Sequence, residues 1–452
     1  MNALFAAHAL LPTGWASDVL LRWDDDGTLQ RVQTGATPDA GTPRASGVML
    51  PGLPNLHSHA FQRAFAGLTE YRGHAQDSFW TWRDLMYRFA AQISPDAMED
   101  IATHLYIEML CAGYTAVCEF HYVHHDPSGQ PYANPAEMSL RLVAAARRAG
   151  IGLTMLPVLY QHSGFGAKPP RDDQRRFIGS VDGLLRIVEA LRGQGVRCGA
   201  APHSLRAVAA PALHELLGGL DRIDATAPVH VHVAEQIQEV EDCLAWSGQR
   251  PVQWLLDHAP VNSRWCLVHA THLDDRERVG TRKRGAVVGL CPSTEANLGD
   301  GVFDATAWRG AWGIGSDSHA SVDAAEELRL LEYTQRLAKR QRNVLGDATR
   351  PDVAEAMWQT AVAGGAQAAG RAIAGLAAGQ QADFVVLGDR LLDGLKPAQQ
   401  LSSHVFASQR RNTVQEVWVG GRCRVQNGQH PGAATAAERF VAARRSLLTE
   451  LG

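Results

Sequence analysis

His57 and His59 stand two residues apart in LPGLPNLHSHAFQRAFAGLTE (50–70), just after an apolar run. In extended chain, residues i and i+2 point to one face, so both imidazoles can meet the same ligand. Nineteen histidines in 452 residues also make a chance pair expected, so the pattern needs partners elsewhere. Tyr122, His203, His232, His269 and Asp317 supply them, because each closes or follows a short apolar run of strand length. A lone histidine reads most simply as a hydrogen-bonded core or loop residue; a set that respects the ends of apolar runs does not.

His57, His59, His232 and Asp317 make a nitrogen and oxygen donor set suited to Zn²⁺ or a similar divalent ion, with a position left for water. That is the arrangement of a hydrolytic centre. A second ion would need a bridging anion, yet no Lys occurs between Lys168 and Lys283, and residues 196–208 lack Asp and Glu. One ion per chain is therefore expected. Glu235 follows His232 in HVHVAEQ, where a partly buried carboxyl can move a proton between water and a leaving nitrogen. Its bland alternative is an acidic first residue of a helix.

These residues need elements that bring them together. From residue 46, strand-length runs alternate with helical segments: SGVMLPGLPNLHSH, YTAVCEFHYVHH, IGLTMLPVLYQHSG, VRCGAAPHSLR, PVHVHVAEQ, RWCLVHATH, GAVVGLCPSTE and WGIGSDSHAS. Helix starts are marked by Ser94-Pro95-Asp96 and Asn134-Pro135, and a helix end by Gly150. Eight such units in about 320 residues predict an α/β fold, a (β/α)₈ TIM barrel over 51–369, whose strand C-termini share one mouth. A doubly wound open sheet is the rival, but no G-x-G-x-x-G follows the first strand. Residues 1–50 and 370–452 carry β-like runs with Gly and Asp turns and predict a small β-sandwich domain built from both chain ends. The Ala-rich stretch 433–443 predicts a surface helix.

Composition narrows the partners. The net charge of −4, from 43 basic and 47 acidic residues, offers no footprint for nucleic acid or an anionic membrane, and TRKR (281–284) reads as a solvated helix end. No run approaches the roughly 20 apolar residues of a membrane span. The first residues lack a basic segment and a cleavage site, so no signal peptide is expected. Seven cysteines without C-x-x-C, mostly in apolar runs, read as buried thiols of a reducing, cytoplasmic compartment.

The H-x-H at 57–59, the H-x-x-E at 232–235, His269, the SDS around Asp317 and GLAAGQQADFVVLG (375–388) resemble the amidohydrolase superfamily, in its mononuclear deaminase branch, over nearly the whole chain. NLHSHAFQRAFAGLTE, DSFWTWRDLMY (77–87), EFHYVHH, MLPVLYQHSGFG, APHSLRAV and CPSTEANLGDG are similar to the formimidoylglutamate deiminase family within it. That resemblance implies a zinc-dependent hydrolysis of N-formimino-L-glutamate to N-formyl-L-glutamate and ammonia in histidine degradation. It also implies Glu235, His269 and Asp317 as proton-moving groups and Gln62, Arg83, Tyr122, His203 and Arg206 as substrate contacts.

A small-molecule dicarboxylate calls for planar, bidentate cations, which suits Arg206. The bland alternatives are surface ion pairs for the arginines and packing for Gln62, Tyr122 and the aromatics of DSFWTWRDLMY. A homodimer is expected. The rival functions are another deaminase of the superfamily, acting on guanine, cytosine or an adenosine derivative, and a non-catalytic barrel protein.

Overall fold

The computed structural model describes residues 2–70, 79–407 and 413–451. Asp77 and Ser78 of DSFWTWRDLMY lie outside them. The chain opens with β1 (Asn2–Leu11), β2 (Gly14–Trp23), β3 (Leu29–Gln33) and β4 (Val48–Pro51). It continues through β5 (Leu53–Ser58), β6 (Tyr114–His121), β7 (Gly152–Leu159), β8 (Arg197–Cys198), β9 (Ala201–Pro202), β10 (Val229–Val233), β11 (Trp265–His269), β12 (Val287–Leu290) and β13 (Trp312–Ile314). β14 (Phe384–Leu387), β15 (Val414–Val419) and β16 (Arg422–Gln426) follow, and a helix over Ala433–Leu451 closes the chain.

β5 to β9 form one parallel sheet and β10 to β13 another. Isolated parallel bridges, Ala200 to Val229 and Ser204 to His232 on one side and Ser58 to Asp317 on the other, join the two sheets at both edges. Helices sit between successive strands except between β8 and β9, and β6, β7, β10, β11 and β12 are buried along their whole length. Such runs, apolar on both faces, belong to parallel sheets covered by helices. The two chain ends meet in a seven-stranded sheet of order β16-β15-β14-β4-β1-β2-β3, largely antiparallel. Its own core gathers Leu4, Leu21, Trp23, Met49, Phe384 and Val386.

The run read as one strand through residues 46–59 is two. β4 pairs with β14 in the seven-stranded sheet, whereas β5 pairs with β6. The break is Gly52, whose N–H donates to the Asp383 carbonyl. A Cβ there would come within 2.3 Å of the Thr115 side chain, so the chain can turn from sheet to sheet only without one. The fourth parallel strand is likewise split into β8 and β9 at Gly199, where a Cβ would meet the Pro228 carbonyl.

Helix ends follow their local chemistry. Ser94 caps Pro95–Cys111 by accepting from the Ala97 N–H, and Gly150 ends Glu137–Ala149 at φ 78°. Asn134 does not cap that second helix. Its side chain accepts from the Ala136 N–H in a turn, and the helix begins at Glu137. TRKR forms the last turn of Asp275–Arg284. Among the described residues, no helix is long and apolar enough to cross a membrane.

Candidate active site

Backbone pairing between β5 and the segment after β13 sets the centre of the site. The His59 N–H donates to the Asp317 carbonyl (3.2 Å), and the Asp317 N–H donates to the His57 carbonyl (3.0 Å). Buried Asn55 ties the same two segments: its amide donates to Ser316 Oγ (2.6 Å), and its oxygen accepts from the Ser316 N–H (3.2 Å). Gly315 lies flush on the first strand, where a Cβ would come within 2.8 Å of His57 Cβ. From the neighbouring strand, Glu119 accepts from the Ala60 N–H (2.7 Å) and from Ser58 Oγ (2.6 Å), which holds the turn after His59.

The four residues expected to bind metal converge. His57 Nε2 lies 3.1 Å from His59 Nε2 and 3.0 Å from His232 Nε2. Asp317 Oδ1 lies 3.4 Å from His57 Nε2 and 3.2 Å from His59 Nε2. His59 Nδ1 donates to the Phe120 carbonyl (2.8 Å), so its Nε2 carries the bare lone pair and faces the other donors. Lone pairs and a carboxylate crowded at this spacing fit a divalent cation between them. Burial pushes His57 down to about 3 and His232 well below the ordinary histidine value, which keeps both as neutral ligands. Burial works to raise Asp317, but its contacts with His57 and His59 prevail and hold it well below the usual carboxylate range.

The proton-moving residues sit beside this cluster on bent backbone. Along an extended strand His232 and Glu235 would face apart. Ala234, at φ 52°, turns the chain so that Glu235 returns to the site. His269 and Asp317 also hold left-handed φ values, 66° and 47°, a strain typical of functional strand ends. His269 Nε2 lies 3.7 Å from Glu235 Oε1 and 3.8 Å from Asp317 Oδ2. Burial pulls His269 down, but the surrounding Glu235, Glu295 and Asp317 carboxylates outweigh it and hold the ring up at about 10. Burial raises Glu235 against the opposing pull of His269 and Arg206.

One cleft of about 540 Å³, partly open to solvent, is lined by all five residues expected to touch substrate: Gln62, Arg83, Tyr122, His203 and Arg206. Gln62 donates its amide N–H to Tyr122 (2.9 Å), and His203 packs against the ring of Tyr160. The Arg83 guanidinium lies 5.5 Å over the Tyr87 ring. Arg206 Nη2 lies 3.7 Å from Glu235 Oε2, so this cation borders both the proton carrier and the cleft.

Sequence reasoning missed Tyr87, Tyr160 and Phe177, which wall the cleft, and Glu295, which accepts from the Cys291 N–H (2.8 Å) and contacts His269 Nδ1 (3.3 Å). The available signal for Glu295 was its acidic position in the first turn after the seventh parallel strand.

The model "Amidohydrolase family" matches residues 48–424, and "Formimidoylglutamate deiminase HutF, N-terminal domain" matches residues 1–46. A curated formimidoylglutamate deiminase of Pseudomonas aeruginosa is 51% identical over 98% of each chain. A curated 8-oxoguanine deaminase of the same species is 26% identical, with 86% of this chain and 85% of that one covered. The crystal structure of an amidohydrolase from Brucella melitensis is 47% identical and superposes with a TM-score of 0.94 over 99% of this chain and 100% of that one. A zinc-bound adenosine deaminase from Xanthomonas campestris, 24% identical with a TM-score of 0.78 over 99% and 98% of the two chains, shares the fold. The chain belongs to the amidohydrolase family and, within it, to the formimidoylglutamate deiminases.

Proposed function

We propose that the protein hydrolyses N-formimino-L-glutamate to N-formyl-L-glutamate and ammonia, a step of histidine degradation. The observation that carries this reading is the meeting of His57, His59, His232 and Asp317 at the foot of a cleft walled by Arg83 and Arg206. The P. aeruginosa relative at 51% identity supports the substrate.

His57, His59, His232 and Asp317 would hold one divalent ion, Zn²⁺ by the chemistry of the donors. Bound there, the ion supplies Lewis acidity that brings a water's pKa toward neutrality. Asp317 accepts that water's proton as its oxygen attacks the formimino carbon, and His269, held protonated by the carboxylates around it, orients the water. Glu235, desolvated and 3.7 Å from His269, carries protons to the imino nitrogen. As the carbon–nitrogen bond breaks, the nitrogen leaves as ammonia. His269 also stabilises the charge that develops on the tetrahedral centre. Arg206 and Arg83 take the substrate's carboxylates, and Gln62, Tyr122 and His203 orient the formimino group.

The two edge-joined parallel sheets support a (β/α)₈ barrel over 51–369, and the sheet shared by both chain ends supports a small β-sandwich domain over 1–50 and 370–452. The same reading expects a cytoplasmic homodimer. Ammonia release measured on N-formimino-L-glutamate beside guanine, cytosine and adenosine tests the substrate. Turnover of the first alone supports the proposal, and turnover of only a nucleobase or nucleoside overturns it.

A further inference from the structure

A second cavity lies at the opposite end of the parallel strands. It is lined by Gly150–Leu153 at the start of β7 and by Val196 and Arg197 at the start of β8, together with Gly420 and Arg422 of the seven-stranded sheet. The eight residues of β7 put it roughly 23 Å from the strand C-termini at about 3.3 Å per residue. Five arginines, Arg147, Arg197, Arg371, Arg422 and Arg424, face it against two carboxylates, Asp25 and Asp26.

Three of these guanidiniums are seated on glycine backbone. A Cβ at Gly150 would come within 2.6 Å of Arg424 Nε, at Gly152 within 3.0 Å of Arg371 Nη2, and at Gly370 within 2.7 Å of Arg197 Nη2. Arg197 is compensated by Asp224 at 3.1 Å. Arg371 donates to the Leu153 carbonyl and feels Asp383 at longer range, and Arg147 donates to the Gln194 carbonyl. Among the described residues, Arg147, Arg371, Arg422 and Arg424 form no ion pair. The Nε atoms of Arg197, Arg371 and Arg424 are buried without a hydrogen-bond partner. Planar donors left unsatisfied beside uncompensated charge match the fork geometry that binds oxyanions.

We propose that this cavity binds a small multivalent oxyanion, separately from the catalytic cleft, with Arg424 and Arg371 as its inner donors and Arg147 and Arg422 as its outer ones. A phosphate and a di- or tricarboxylate share the required chemistry, and the test separates them.

Calorimetric titration of the metal-loaded enzyme with inorganic phosphate, and separately with citrate, is run at constant ionic strength with chloride as reference. Saturable binding of either anion is expected, and whichever binds identifies the source. Arg424→Gln should weaken it about tenfold or more, the loss of one charge-assisted hydrogen bond, while kcat on substrate stays unchanged. The double variant Arg147→Gln/Arg422→Gln alters only exposed side chains and provides the same reading if Arg424→Gln does not fold. No binding beyond chloride, or binding undiminished in the variants, would overturn the proposal.

Discussion

Glu295 Oε1 lies 3.3 Å from His269 Nδ1 while also accepting from the Cys291 N–H, so one buried carboxylate fixes the ring that faces Glu235 and Asp317. A carboxylate behind a histidine sets its tautomer and its orientation. Glu295→Gln should lower kcat by about ten- to a hundredfold, the range for such supporting partners, with KM and metal content little changed. Steady-state kinetics with elemental analysis checks this, and an unaltered kcat would leave Glu295 a merely structural residue.

Arg206 borders Glu235 and the cleft, and the proposed function assigns its guanidinium to a substrate carboxylate. Arg206→Met removes a charge-assisted hydrogen bond worth roughly 1.5–3 kcal/mol. A fall in kcat/KM of about ten- to a hundredfold follows, with metal content intact. If kcat/KM on N-formimino-L-glutamate does not change, Arg206 does not bind it.

Three imidazoles and a carboxylate meet at 3.0–3.4 Å only in the folded chain, so an ion held by them would couple its binding to folding. Chelation should abolish activity and lower the melting temperature, and Zn²⁺ should restore both at one ion per chain. The stabilisation reaches about 4 kcal/mol when free ion exceeds its Kd a thousandfold. His59→Ala should lose the metal-dependent rise in melting temperature, which differential scanning calorimetry reads directly.

Asp383 is buried immediately before β14 of the seven-stranded sheet, where Oδ1 accepts from the Gly420 N–H (2.7 Å) and Oδ2 has no partner. Burial pushes its carboxyl from 3.8 up to about 6 despite that hydrogen bond and Arg371. A raised carboxyl pKa favours the folded state when protonated, so this contribution is fully present below pH 3.8 and is lost as pH rises through 6. Asp383→Asn keeps the acceptor and removes the charge. It should gain stability on the order of 3 kcal/mol at pH 7 and flatten the slope between pH 4 and 6. Chemical denaturation at several pH values tests this, and an unchanged slope would contradict it.

What was legible in the sequence was what depends on short spacing. The i, i+2 histidines at the end of β5 and the apolar runs of the parallel strands follow from local periodicity, and so do the Ser94 and Gly150 caps. What was not legible depends on chain brought from afar. Asn55 meets Ser316 across 261 residues, and Gly52 divides one apolar run because Thr115 leaves no room for a side chain. Glu295 shows its role only once His269 is beside it, 26 residues away along the chain. The left-handed turn at Ala234 aims Glu235 in a way that no alternation pattern encodes.

In the proposed reaction His57, His59, His232 and Asp317, with Glu235 and His269, direct water to the formimino carbon and expel its imino nitrogen. Hydrolysis of N-formimino-L-glutamate in ¹⁸O-labelled water by the metal-loaded enzyme, read by mass spectrometry, tests this most directly. The predicted result is N-formyl-L-glutamate with the label in its formyl oxygen and an equal amount of ammonia. Glutamate with formamide, from cleavage of the other carbon–nitrogen bond, or no turnover with metal bound, would contradict it.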